Sequence, residues 1–148
     1  MHDVIIIGAG TSGLTVAHHL LARGIRPLIV DAASNIASAW RLRHPQLSLN
    51  THRLLSGLPD MPIPKSKGTF ISRDDYITYL ESYANNLQKE FQLDILFNTQ
   101  ITSIESSNGI WDLAADERHF SASNIIIATG PDREPYMPYW QGMDSYQG

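Results

Sequence analysis

The sequence predicts an α/β fold in which a parallel sheet receives an inserted antiparallel β-meander, and three observations predict it. A β-branched run, Val4-Ile5-Ile6-Ile7, ends at Gly8-Ala9-Gly10-Thr11-Ser12-Gly13, after which apolar residues recur at helical spacing. A second apolar run, Pro27-Leu28-Ile29-Val30-Asp31, follows that helix and ends in an acid, so the opening reads as one βαβ unit. Further along, Asn108-Gly109 and Asp116-Glu117 separate short strand-like runs, and both residues of Asn-Gly tolerate the positive φ of a tight hairpin turn.

Each element has its own reason. Leu14, Val16, Ala17, Leu20 and Leu21 give the first helix a buried stripe, and Gly24 suits its C-terminal cap. From Ala32 to Gly68 no period is sustained, and Pro45, Pro59, Pro62 and Pro64 punctuate the segment. Its large apolar groups argue against a disordered linker, so an ordered loop with one short helix is expected. Ser72 can cap a second long helix, with Asp75 reaching back in a capping box. Ile77, Leu80, Tyr83, Ala84 and Leu87 then fall at steps of three and four, carrying the helix to about Glu90. Leu93-Asp94-Ile95-Leu96-Phe97 reads as a strand, and Gln100 to Glu105, Ile110 to Ala114 and Arg118 to Ser121 as three short ones. A last β-branched run, Asn124-Ile125-Ile126-Ile127-Ala128, closes on Thr129-Gly130-Pro131.

Composition excludes several classes. The chain has 148 residues, enough for one domain and too few for a separate cofactor domain and substrate domain. Its formal charge is −4, and its basic residues cluster no further than Arg41-x-Arg43, which gives nucleic acid or anionic lipid little to hold. It contains no Cys, which removes disulfides, thiol chemistry and thiolate metal sites and fits a reducing compartment. No apolar run reaches the roughly 18 residues of a membrane span, and Met1-His2-Asp3 lacks a basic leader, so a cytoplasmic protein without membrane partners is expected. The sequence is silent on oligomeric state.

The chemistry concentrates at the glycine turn. Gly8, Gly10 and Gly13 form Gly-x-Gly-x-x-Gly between a strand and a helix, the context a dinucleotide diphosphate requires. Gly8 permits the tight turn, Gly10 lets a diphosphate approach the backbone, and Gly13 lets helix and strand pack closely. The helix N-terminus adds free N–H groups and a positive dipole end. Asp31 ends the second strand at about the 20-residue distance where a carboxylate meets ribose hydroxyls. This Rossmann-like unit binds NAD or FAD, and a glycine turn that only packs is the plain alternative. No metal site is expected: His18 and His19 point about 100° apart on a helix, and no His-x-x-x-His pair exists. No Ser/His/Asp set is legible, so hydrolase chemistry has no support.

A long loop, one helix and a meander replace the further βα repeats of a nicotinamide dehydrogenase. Trp40-Arg41, Leu47-Ser48-Leu49-Asn50-Thr51-His52-Arg53, Leu58-Pro59-Asp60-Met61-Pro62-Ile63-Pro64, Ser72-Arg73-Asp74 with Tyr79-Leu80 and Tyr83-Ala84, and Ala128-Thr129-Gly130 before Pro135 and Pro138 follow in an order that resembles class B flavin-dependent monooxygenases. That group includes flavin-containing, Baeyer-Villiger and N-hydroxylating enzymes. The resemblance implies FAD as tightly held cofactor, NADPH as reductant, oxygen activated at the flavin, and a small-molecule substrate. Position by position, it implies Gly8, Gly10, Thr11, Ser12 and Gly13 at the diphosphate, Asp31 at the adenosine ribose, and Trp40 and Arg41 near the flavin. Ile101, in a strand Gln100-Ile101-Thr102, would lie beside the adenine, and Ala128, Thr129 and Gly130 would approach from the last strand. Asn50 would be the catalytic amide facing the oxygen-reacting side of the flavin. Asn50 as a simple turn former and Trp40 as ordinary core remain open. The chain departs from the family at Ala37-Ser38-Ala39, where a Gly-Gly pair is usual, and at Asp31, where Glu is common.

The resemblance also implies a division into an FAD-binding domain over residues 1–130 and an exit linker over 131–148 toward an NADPH domain. Gly142 to Gly148 resembles the approach to a Phe-x-Gly-x-x-x-His signature whose His falls beyond the end. The isolated chain is therefore expected to be catalytically incomplete. A flavoprotein reductase fragment, or a dinucleotide-binding module without turnover, is the alternative function.

Overall fold

The computed structural model describes residues 1–130 and 136–147. Pro131, Pro135 and Gly148, which figure in the expected exit segment, lie outside the described residues. β1 (His2–Ile7), α1 (Thr11–Leu21) and β2 (Leu28–Val30) form the opening βαβ unit, with Ile5 opposite Leu28 and Ile7 opposite Val30 in parallel register. Two one-turn helices, α2 (Ser38–Arg41) and α3 (Arg53–Ser56), and a 3-10 turn at Lys65–Lys67 lead to the long helix α4 (Arg73–Phe91). β3 (Asp94–Leu96) pairs parallel with β2, and β4 (Ser103–Ser107), β5 (Ile110–Ala115) and β6 (Arg118–Ile127) make the antiparallel part. The sheet runs β3-β2-β1-β6-β5-β4.

Strand alternation sends β1 side chains to two cores. Val4 and Ile6, with Ile29 of β2, pack under α1 and α4 through Leu14, Ala17, Leu80, Tyr83 and Leu87. Ile5 and Ile7, with Leu28 and Val30, meet Leu113 of β5 and Ala122 of β6 on the other face. The expected spacing holds on α4, whose buried residues are Tyr76, Ile77, Tyr79, Leu80, Tyr83, Ala84 and Leu87. Ser72 caps it as expected, its Oγ accepting from Asp75 N at 3.2 Å, but the Asp75 carboxylate reaches back to the Ser72 hydroxyl at 3.0 Å rather than to the Ser72 N–H of a capping box. Lys67, 2.7 Å from Asp75, and the same hydroxyl hold that carboxyl below the usual range. The Asn108-Gly109 hairpin is also present, with φ of 51° and 78°.

Three expectations are corrected. The two runs Arg118–Ser121 and Asn124–Ala128 are one strand, because Ala122 pairs with Trp111 on one side and with His2 on the other. The meander is therefore joined to the parallel sheet through β6, the inserted arrangement expected from the sequence. The loop from Ala32 to Gly68 holds two short helices rather than one. Gln100, Ile101 and Thr102 are not in a strand: Thr102 N bonds Ala114 O at 2.8 Å, and the segment bends from the end of β3 before regular pairing begins at Ser103.

Candidate functional site

The C-terminal ends of β1, β2 and β6 open onto a cleft of about 1300 Å³. Parallel strands place ligands at this end, where the loops diverge. The three glycines of the turn stand there for different reasons. Gly8 has φ +115°, and a Cβ on it would lie 2.4 Å from Ala128 O. A Cβ on Gly13 would lie 1.9 Å from Gly8 O, so strand and helix meet only because that side chain is absent. At Gly10 a Cβ would meet no protein atom within 4 Å. The room it leaves opens into the cleft. Gly10 is also the N-cap of α1, offers no side-chain cap, and precedes a first turn without an acidic residue. The N–H groups of that turn have no intrahelical acceptor, and the positive dipole end is uncancelled, a setting that receives an anion.

Asp31 closes the floor of the cleft and is only 8% exposed. Its Oδ2 accepts from Ala9 N at 2.6 Å and its Oδ1 from Ala33 N at 2.8 Å. The short side chain thus ties the glycine turn to the loop after β2, and each oxygen keeps a lone pair for a hydroxyl. Its backbone is fixed as well, through Asp31 N to Leu96 O and Thr99 N to Asp31 O, both at 2.9 Å.

Of the residues expected from sequence, Gly8, Gly10, Thr11, Ser12, Asp31, Trp40, Ile101, Ala128, Thr129 and Gly130 line this one cleft. Gly13, Arg41 and Asn50 do not. Gly13 is buried beneath the turn. Arg41 turns to α4, where its guanidinium pairs with Glu81 and its Nε donates to Ile36 O at 3.2 Å. Asn50 is exposed, on a ribbon tied to the chain before α4 by Leu49 N to Ile71 O at 2.9 Å and Arg53 N to Thr69 O at 2.8 Å. The departure at Ala37 leaves a trace: this alanine sits at φ 62°, a left-handed conformation that glycine adopts without strain.

Sequence reasoning missed Ala32, Ala33, Thr99, Gln100 and Thr102, which also line the cleft. The rule that ligands lie beyond the ends of parallel strands was the available signal, since Ala32 follows β2 and Thr99 follows β3. It also missed Tyr76, which meets the Trp40 ring edge-on at 4.9 Å. Burial raises the Tyr76 phenol above its ordinary value, and the nearby Thr11 hydroxyl partly offsets this. Among the described residues no group of three His, Asp or Glu stands close enough to hold a metal ion, and no helix is long and apolar enough to cross a membrane.

The pyridine nucleotide-disulphide oxidoreductase family matches residues 5–147. The chain belongs to that family. It has no Cys for disulphide chemistry, and its relatives point to another branch, in agreement with the resemblance to flavin-dependent monooxygenases. It is 32% identical over 147 residues to a probable indole-3-pyruvate monooxygenase, YUCCA4, of Arabidopsis thaliana, covering 97% of this chain and 35% of that one. A flavin-containing monooxygenase from Stenotrophomonas maltophilia shares its fold at a TM-score of 0.88 and 29% identity, over 99% of this chain and 44% of that one. OTEMO, solved in complex with FAD and NADP, matches at a TM-score of 0.75 and 25% identity, over 99% of this chain and 29% of that one. The chain spans between 35% and 39% of the length of the curated relatives it matches.

Proposed function

We propose that the chain is the FAD-binding portion of an NADPH-dependent, monooxygenase-like flavoprotein oxidoreductase, with residues 1–130 as the cofactor domain and 131–148 as its exit linker. The observation that carries this reading is Gly10. Its missing side chain relieves no clash within the protein, yet it opens into the cleft at a bare helix N-terminus, where a diphosphate has both room and charge complementarity.

In this reading the N–H groups at Gly10, Thr11, Ser12 and Gly13 hold the diphosphate. Asp31 accepts from an adenosine ribose hydroxyl while keeping the turn in place. Ile101 borders the adenine, and Trp40 with Ala128, Thr129 and Gly130 borders the flavin side. Arg41 acts through its hold on α4, keeping Trp40 at the cleft. Bound flavin would supply electron transfer and oxygen activation, with NADPH as the electron source. The protein side excludes water and orients the ring. Asn50 is assigned the catalytic amide on the family resemblance. A small organic molecule, not nucleic acid, is the substrate class, and the Cys-free composition supports a cytoplasmic setting.

Titrating the 148-residue chain with FAD tests the reading. Flavin fluorescence and visible absorbance should report a saturable complex, and Gly10→Ala should abolish it while leaving circular dichroism unchanged. A well-folded wild-type chain that takes up no FAD would overturn the proposal.

A further inference from the structure

Asn108-Gly109 forms the tip of the β4–β5 hairpin, closed by Ser107 opposite Ile110. Both residues are exposed, with φ of 51° and 78°. Among the described residues neither the Asn108 side-chain amide nor the Gly109 N–H has a hydrogen-bond partner. A Cβ on Gly109 would meet nothing within 4 Å, so the nitrogen that follows Asn108 is uncrowded and the turn has room to swing about Asn108 ψ.

The other six asparagines are placed differently. They are followed by Ile36, Thr51, Asn86, Leu87, Thr99 and Ile125, whose side chains crowd the corresponding nitrogen. Several are also held in place. The Asn86 and Leu87 nitrogens lie inside α4, Thr99 N donates to Asp31 O at 2.9 Å, and the Asn124 amide donates to Asp3 O at 3.2 Å.

We propose that Asn108 is a site of spontaneous covalent modification, at which the hairpin turn converts itself to aspartyl and isoaspartyl forms. The Gly109 nitrogen loses its proton to hydroxide and attacks Asn108 Cγ. A C–N bond forms to close a succinimide ring, the Cγ–Nδ2 bond breaks, and the departing nitrogen takes a proton from water and leaves as ammonia. Water then opens the ring. Addition at Cγ restores the main chain and gives aspartate; addition at the main-chain carbonyl frees that carboxylate and leaves the chain running through the side-chain carbon, which is isoaspartate. Water is the sole co-reactant, and nothing is oxidised or reduced.

The isoaspartyl form changes the hairpin. An extra main-chain carbon enters a two-residue loop whose length fixes the strand register. β4 is poorly placed to resist, because it is exposed at every position and pairs only with β5. Glu105 also stands directly opposite Asp112, like charges that weaken the ladder, and the modification adds a carboxylate at the same end. The other end of β4 matters too, since Ser103 and Ile104 line the cleft.

Incubating the 148-residue chain at mildly alkaline pH and mapping its peptides by mass spectrometry tests the proposal. The peptide holding Asn108 should gain the mass of an NH-to-O exchange, at a rate that rises in proportion to hydroxide, while the other six asparagines stay unchanged. The product should accept a labelled methyl group from S-adenosylmethionine through an isoaspartyl carboxyl methyltransferase, used as the probe. Asn108→Gly keeps the positive φ without strain and removes the reacting amide, so it should accept no label. In the isoaspartyl fraction, amide exchange should quicken along β4 and stay unchanged in β1. No mass gain at Asn108 by the time a free peptide of residues 105–111 has fully converted would overturn the proposal, as would equal gain at the other asparagines or equal label in Asn108→Gly. The measurement involves no FAD, so its failure is distinct from failure of the flavin reading.

Discussion

The two sides of the cleft are built by different means. The side formed by Gly8, Gly10, Gly13 and Asp31 is local: a strand, a turn and a helix fix it through backbone overlap and a carboxylate with both oxygens engaged. The side formed by Trp40 depends on distant chain. Its helix is one turn long, and the surrounding loop is held from α4 by Tyr76, by Glu81 on Arg41, and by Tyr79 on the Leu58–Met61 turn. The first side is therefore rigid with the sheet, while the second is only as fixed as the packing of α4.

Substitutions that break this comparison are ranked by size. Gly13→Ala forces a Cβ into Gly8 O and should destabilise the chain by about 4 kcal/mol or more, read as loss of the cooperative thermal transition. Asp31→Ala leaves the Ala9 and Ala33 N–H groups without their acceptor, and a loss of about 3 kcal/mol in urea unfolding is expected. Tyr79→Phe keeps the stacked ring but strands Leu58 N, costing about 2 kcal/mol. Hydrogen exchange should quicken around residues 57–62 and stay unchanged in β1, since the effect belongs to the loop side. Equal exchange in both regions would erase the distinction.

The smallest effect concerns acid. Asp75 has a lowered carboxyl, so its contribution to the α4 cap is complete above the ordinary value of 3.8 and is lost as pH falls through the lowered one. Asp75→Asn should flatten that acid limb of helix content and leave neutral-pH spectra nearly unchanged. A limb of the same shape in the variant would remove Asp75 as its source.

Much of this was legible in the chain itself. The β-branched runs, the glycine spacing, Asp31 and the Asn108-Gly109 turn are local signals, with preferences set by neighbours within a few residues. They determined the βαβ unit, the capped helix α4 and the side of the cleft made by the glycine turn and Asp31. Tertiary structure decided what depends on distant partners. Ala122 fuses two expected strands because it is hydrogen-bonded on both edges. Ile101 leaves its expected strand because Thr102 is anchored to Ala114. Arg41 turns from the cleft because Glu81 lies across α4. Gly10 and Gly13 read alike in sequence, and only the fold shows that a side chain on one would strike backbone and on the other would enter the cleft. Propensity acts through neighbours in the chain, whereas pairing and clearance are set by groups that folding brings together.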